Sequence, residues 1–419
     1  MENLTIYIFF YLVPLFDSLT GFLIKIHIMG EASLGSPSQL IKFALWILFF
    51  TGFVKHGKRK EIFSFLFLIL FYLIFESLVA IFCNSSLYAF LYGLLNIFKV
   101  SYLLLFYLFF NQLIKNNFLT IETLLNLFKI NGLICVTLIF ITTALHINFS
   151  TYQTGNFGTK GLFPSGNGIS LYIGAISFLS LILAKKAGGL KNYLQALYMI
   201  IGSSIIGTKA SVIFLLLNSL YFCFCIVKHG KLLVLGIFVI FFIKNISLFE
   251  KIFDVIIYRF KNKGNIFTFI MSSRDAFVKG AFEEFYTEGI LSLRIFFGLG
   301  AFLSFRSPNT TEAFDTLEND IFDIFFMYGI LGLIIYFSII LGTIYKLVKS
   351  KKFEWILFSS AIFVYSMIAG HSVFNQTSGI LLALCPLIAK YKPFLHKKSE
   401  SLKFTYRSKS IWKYCLPIF

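Results

Sequence analysis

Charge is what this sequence is short of. Only 13% of its 419 residues are Asp, Glu, Lys or Arg, about half the share carried by a soluble domain. Proline is scarce as well, with seven in all, which argues against the repeatedly broken helices of secondary transporters. No internal repeat of the transporter kind is visible. The six cysteines are Cys83, Cys135, Cys223, Cys225, Cys385 and Cys415. They form no CxxC pair, most lie in apolar runs, and no His cluster is near. Neither a zinc site nor a disulfide framework is indicated. The opening Met1, Glu2 and Asn3 lack a basic n-region, so the first apolar run is expected to be a retained helix and not a cleaved signal.

What the sequence has in excess is apolar surface. Hydrophobic residues make up 58% of it, with 56 Phe and 21 Tyr. No soluble fold has the interior to hide that much, so the second solvent is lipid. The net charge of +18 does not point to nucleic acid, because the basic residues punctuate apolar runs and form no stripe. A cytoplasmic membrane face accounts for them.

A hydrocarbon core about 30 Å thick needs about 20 apolar residues per helix. On that scale twelve spans are expected, near 3–24, 38–54, 61–82, 91–113, 121–145, 168–184, 192–208, 210–227, 232–249, 320–345, 353–370 and 372–389. With the N-terminus inside, the inner loops hold Lys55, Lys58, Arg59, Lys60, Lys115, Lys185, Lys186, Lys191, Lys228, Lys231, Lys346, Lys349, Lys351 and Lys352. A basic tail, 391–419, follows the last span. Short outer loops hold only Lys25, Lys160 and Lys209. This asymmetry predicts cytoplasmic termini. The organisation expected is spans one to nine over 1–249, a large extracytoplasmic loop over 250–319, and spans ten to twelve over 320–390.

The long loop holds Arg259, Arg274, Arg294 and Arg306, four of the six arginines. Arginine suits bidentate binding of phosphate or carboxylate; ordinary surface arginine is the plain alternative. Ser272 and Asp275 have capping-box spacing around Arg274, and Phe277, Ala281 and Phe285 then recur at helical period. An amphipathic helix on the outer membrane surface is expected, ending by Gly289, with Arg274 at its anion-attracting N-terminus. At the end of the loop come Glu318, Asp320 and Asp323. Acids in a first helical turn are favoured by the dipole. Glu318 and Asp320 are also candidate general bases, and Asp323 lies a turn inside a span, where acids are functional by default. Asp17, Lys42, Glu76, Lys99 and Lys129 fall inside earlier spans and are expected to pair or to face a polar cleft. The stretch from Thr154 to Gly168 is rich in glycine and includes Lys160 and Asn167, so its N–H groups are candidates for phosphate contact. His371, at an outer helix junction, is a candidate base or a satisfied polar group.

These segments, in this order, resemble the O-antigen polymerase and O-antigen ligase superfamily of bacterial membrane glycosyltransferases. Asp17 to Gly21 is similar to the start of many polymerases. Lys160 to Asn167 resembles the family's basic–Gly–Phe–Pro–Asn loop, and Gly207 to Ser211 its Gly-Ser-Arg-Gly-like turn. Arg274 with Gly298 to Phe302 resembles the large outer loop. Glu318 to Asp320, running into Tyr328 to Gly332, resembles the helix that follows it. The likeness covers roughly residues 5–390.

The resemblance implies an all-α, GT-C-like polytopic fold of about twelve transmembrane helices with one large outer loop. It implies an enzyme of the bacterial inner membrane that polymerises polyprenyl-diphosphate-linked repeat units into O-antigen or capsular polysaccharide, with no metal and no cofactor. Lys160, Lys209 and Arg274 would bind the diphosphate, Asn167, Arg259, Arg294, Arg306 and His371 would line the substrate site, and Glu318 or Asp320 would act near the acceptor hydroxyl. Expected partners are the lipid-linked donor and acceptor, the bilayer, a chain-length regulator and a flippase. Lys160 and Lys209 stand where the family commonly has Arg, and they lose the bidentate fork. Glu318 stands where the ligase branch has His, which favours polymerase over ligase. A transporter or flippase is the alternative from another class; the long outer loop and the lack of an inverted repeat count against it.

Overall fold

A computed structural model describes residues 1–30, 35–152, 157–226, 274–287, 291–303, 317–368 and 372–393. The helices are α1 (Glu2–Lys25), α2 (Pro37–His56), α3 (Arg59–Phe82), α4 (Leu87–Lys115), α5 (Ile121–Ala144), α6 (Gly166–Ala187), α7 (Leu190–Ile206) and α8 (Lys209–Ile226). After an undescribed stretch come α9 (Arg274–Thr287), α10 (Leu291–Phe297), α11 (Gly300–Leu303), α12 (Asp320–Lys349), α13 (Phe353–Ile368) and α14 (Gln376–Tyr391). A short antiparallel hairpin, β1 (Phe149–Tyr152) and β2 (Phe157–Gly161), joins α5 to α6.

Among the described residues, eight helices are long and apolar enough to cross a membrane: α1 to α6, α8 and α12. The chain is therefore a mainly helical membrane protein. Eleven of the twelve apolar stretches expected from the sequence lie wholly or mainly on described residues, and each carries a helix there. The twelfth, 232–249, lies outside them. The break expected at Gly207 is present: α7 ends with Gly207 at φ 74°, and Thr208 caps α8 by accepting the Ser211 N–H.

Helices joined by short connections run alternately up and down, which gathers loops at two ends. The central element is α6: 94% of its apolar stretch is buried, against 11% for α3, which faces outward. Phenylalanines of α1, α2, α4 and α5 fill the core beside it, among them Phe9, Phe49, Phe106, Phe110 and Phe128. In lipid there is little hydrophobic drive between helices, so packing and buried hydrogen bonds set the arrangement.

Four of the intramembrane charges, Asp17, Lys42, Glu76 and Lys129, make structural contacts. Lys42 pairs with Asp17 at 2.8 Å, both buried, while Ser38 also donates to Asp17. Thr377 of α14 closes the group by donating to the other Asp17 oxygen at 3.4 Å. Lys129 donates to Gln195 at 3.1 Å. Glu76 accepts the Ala301 N–H at 3.0 Å and so ties α3 to α11. Lys99 lies within electrostatic reach of Lys42.

One long helix is broken. In α12, Gly329 has φ 63° and ψ −161°, and the Phe326 carbonyl accepts the Leu299 N–H at 3.2 Å. Gly298, at φ 74°, lies against Met327, and Gly329 against Phe296. A Cβ at either glycine would stand 2.3 Å from backbone atoms of the other segment. The Gly298-Leu299-Gly300 run is thus a docking point for the break in α12.

Candidate functional site

The site is assembled at the bundle end where α1, α3, α5, α7 and α13 finish and α2, α4, α6, α8, α12 and α14 begin. Its centre is the approach to α12. Asn319 caps that helix, accepting the N–H groups of Ile321 and Phe322. Asp323 reaches back and accepts the Leu317 N–H at 3.0 Å and the Asn319 N–H at 3.2 Å. This is a capping-box bargain struck one residue later than usual. Between the two gripped amides stands Glu318, in the left-handed region at φ 53°. For a residue with a Cβ, that conformation costs about 1–2 kcal/mol.

Glu318 is paired with Arg274, the first residue of α9. The two differ in surroundings: the Arg274 side chain is 7% exposed and the Glu318 side chain 49%. The pair thus joins a buried guanidinium to a carboxylate half open to solvent. Arg274 is set there by packing. Val278, Ala281 and Phe282 of α9 lie on Leu317, Phe322, Phe325 and Phe326, with the Phe282 and Phe326 rings 4.9 Å apart. Of the face expected to rest on the membrane surface, Ala281 is covered by the start of α12. Ser272, Ser273 and Gly289 lie outside the described residues, as do the side chains of Phe277 and Phe285.

Asp320 is placed differently from Glu318. It is fully buried and accepts the Ser366 hydroxyl and the N–H groups of Ser372 at 3.1 Å and Val373 at 3.2 Å. Its visible work is to bind the turn between α13 and α14 to the head of α12. Asn319 adds a bond from its amide to the Ile368 carbonyl at 3.3 Å.

That turn carries the contact onward. Asn375 caps α14 and donates to Ser165 at 3.0 Å. Ser165 caps α6 at the end of the loop that holds Lys160, and Asn167 stands in the first turn of that helix. Lys160 is half-buried, donates to the Pro164 carbonyl at 2.6 Å and sits 5.3 Å from the centre of the Phe149 ring. Asn167 is exposed. The hairpin rests on the α7–α8 turn, where Thr151 donates to the Ile206 carbonyl at 2.7 Å. Lys209, half-buried, opens α8 beside it. Ser170 joins Thr208 and bonds Ser211 at 2.9 Å, fixing α6 against α8.

No protein-family model matches the chain, and no curated protein matches it significantly.

Cap and turn contacts thus run from Arg274 and Glu318 through Asn319, Asp320, Asn375 and Ser165 to the loop of Lys160, and Asn167 and Lys209 stand in the first turns of α6 and α8 at the same end of the bundle. Arg294 is buried in α10, and its neighbour Ile295 packs on the cluster of Val278, Ala281, Leu317 and Phe326 that seats α9. Arg259, Arg306 and His371 lie outside the described residues. Sequence reasoning missed Asn375 and Ser165, whose meeting spans 210 positions and leaves no local signal. Among the described residues no cluster of His, Cys, Asp and Glu has the makings of a metal site.

Proposed function

We propose that the protein is a membrane glycosyltransferase that elongates a surface polysaccharide, moving a glycan from one polyprenyl diphosphate onto the next lipid-linked unit. The observation that carries this reading is the Arg274–Glu318 pair: a buried cation whose exposed partner is exchangeable, at the bundle end shared with Lys160 and Lys209. A diphosphate arriving at Arg274 displaces Glu318 and gains a charge-assisted contact. Glu318, freed, takes the proton of the acceptor hydroxyl. The acceptor oxygen forms a bond to the anomeric carbon, the bond from that carbon to the diphosphate oxygen breaks, and the diphosphate leaves with the electron pair. Lys160, Lys209 and Arg274 neutralise that departing charge. Asp320, buried and already bonded, positions the turn in this scheme and leaves the proton transfer to Glu318.

In this reading the chain has about twelve spans of the GT-C-like class, 232–249 supplies the ninth, and both termini face the cytoplasm. Residues 250–319 lie outside the bacterial inner membrane, where the lipid-linked units are presented. The test is surface glycan length in a deletion strain carrying Arg274→Ala. The expected result is single repeat units at the surface without polymer. Long polymer in that strain overturns the site. Single units held inside the cell would indicate transport, and polymer that forms but never reaches its final acceptor would indicate a ligase.

A further inference from the structure

A long cleft opens toward the basic end of the bundle, away from the Arg274–Glu318 pair. It has a volume of about 450 Å³ and runs between α3 and α4 on one side and α12 and α14 on the other. Along α12 its lining extends from Ile324 to Lys346, about 33 Å at 1.5 Å per residue, the height of a hydrocarbon core. The walls are aliphatic and aromatic. Three of the hydroxyls they present are satisfied within the protein: Ser101 takes the Trp46 indole N–H at 2.9 Å, Tyr336 meets Ser366 at 2.8 Å, and Thr343 donates to the Ile339 carbonyl at 2.7 Å. A lining so largely apolar suits a hydrocarbon chain.

The head of that occupant is set by charge. Lys346 is the single charged side chain lining the cleft among the described residues, and it is exposed. Lys390 lies within electrostatic reach of Lys346, Lys115 and Glu61. Each lining helix ends in cations at this level: Arg59 and Lys60 in α3, Lys115 in α4, Lys346 and Lys349 in α12, Lys390 in α14. Glu61, the acid nearest them, is taken by the Gln112 amide. The cations named at this level outnumber Glu61, so the mouth of the cleft carries net positive charge among the described residues. Basic pockets between helices at this depth suit anionic head groups.

We propose that the cleft is a site for one anionic phospholipid, its phosphate on Lys346 with Lys115 and Lys390 around it and an acyl chain laid along α12 toward Tyr328. The site is independent of the glycan-transfer reading. Gly342 supplies a clean probe, because it lines the cleft and a Cβ there meets no heavy atom within 4 Å.

Full-length protein is released for native mass spectrometry from nanodiscs of equal phosphatidylglycerol and phosphatidylcholine. The wild type is expected to retain one phosphatidylglycerol. Lys346→Gln lowers the preference over phosphatidylcholine about fivefold, and Gly342→Phe removes retention of either lipid while the protein still elutes as a folded species. Retained lipid that mirrors the nanodisc, or is unchanged in both variants, overturns the site. So does displacement of the retained lipid by an equimolar isoprenoid phosphate, which would identify a longer chain as the occupant.

Discussion

Asp323 holds the backbone on both sides of Glu318, one carboxylate oxygen on the Leu317 N–H at 3.0 Å and the other on the Asn319 N–H at 3.2 Å. The acid one turn inside α12 therefore fixes Glu318, the acid proposed to act as the base. Asp323→Asn replaces one acceptor by a donor aimed at an N–H and frees the turn. Misplacement of a reacting group by about 1 Å costs about a hundredfold in rate. The expectation is a fall in kcat of that order with KM nearly unchanged, measured as repeat units transferred in membranes. A loss confined to KM would remove Asp323 from this role.

Glu318 itself separates activity from stability. Its φ of 53° suits glycine, so Glu318→Gly should be more stable in detergent than Glu318→Ala, which loses the same pair with Arg274, by about 1 kcal/mol, while transfer is lost. Glu318→Ala loses transfer as well. Equal stability of the two variants would show the turn is not strained.

The contact between α10 and α12 tolerates no side chain. Gly298→Ala or Gly329→Ala brings a Cβ to 2.3 Å from opposing backbone atoms, at positive φ in each case. Each should destabilise the protein by about 3 kcal/mol or more. Gly342→Ala, with open space around it, is the matched control and should be neutral or slightly stabilising. Equal melting temperatures for the Gly329 and Gly342 variants would refute the packing described.

The Asp17–Lys42 pair is buried on both sides. Removing one partner of such a pair typically costs about 3–5 kcal/mol, because the other charge is left alone in a poor solvent. Lys42→Met should show that loss, and the double variant Asp17→Leu with Lys42→Met should recover most of it. Additive losses in the double variant would mean the two residues are not coupled.

Much of the helical frame was legible in sequence, because a bilayer demands uniform apolar length and that demand is local. Gly207 and Thr208 announced the α7–α8 break through ordinary capping chemistry. Basic helix ends such as Lys115 and Lys349 were equally plain. What stayed hidden were meetings between distant segments: Asn375 with Ser165, Asp320 with the amides of 372 and 373, and Gly298 with Gly329. Each is a backbone or amide contact that any small polar residue or glycine would advertise equally weakly. The three acids leading into α12 read alike in sequence, as caps or as bases. Only burial and hydrogen bonding set Glu318, half open to solvent, apart from Asp320 and Asp323, which are sealed in.

Asp320 and Asp323 recognise amides and are blind to the side chains those amides carry. Together they veto a single residue type, proline, at Leu317, Asn319, Ser372 and Val373, because proline has no N–H to offer. Two carboxylates thus write one rule of substitution into two stretches of chain about fifty residues apart.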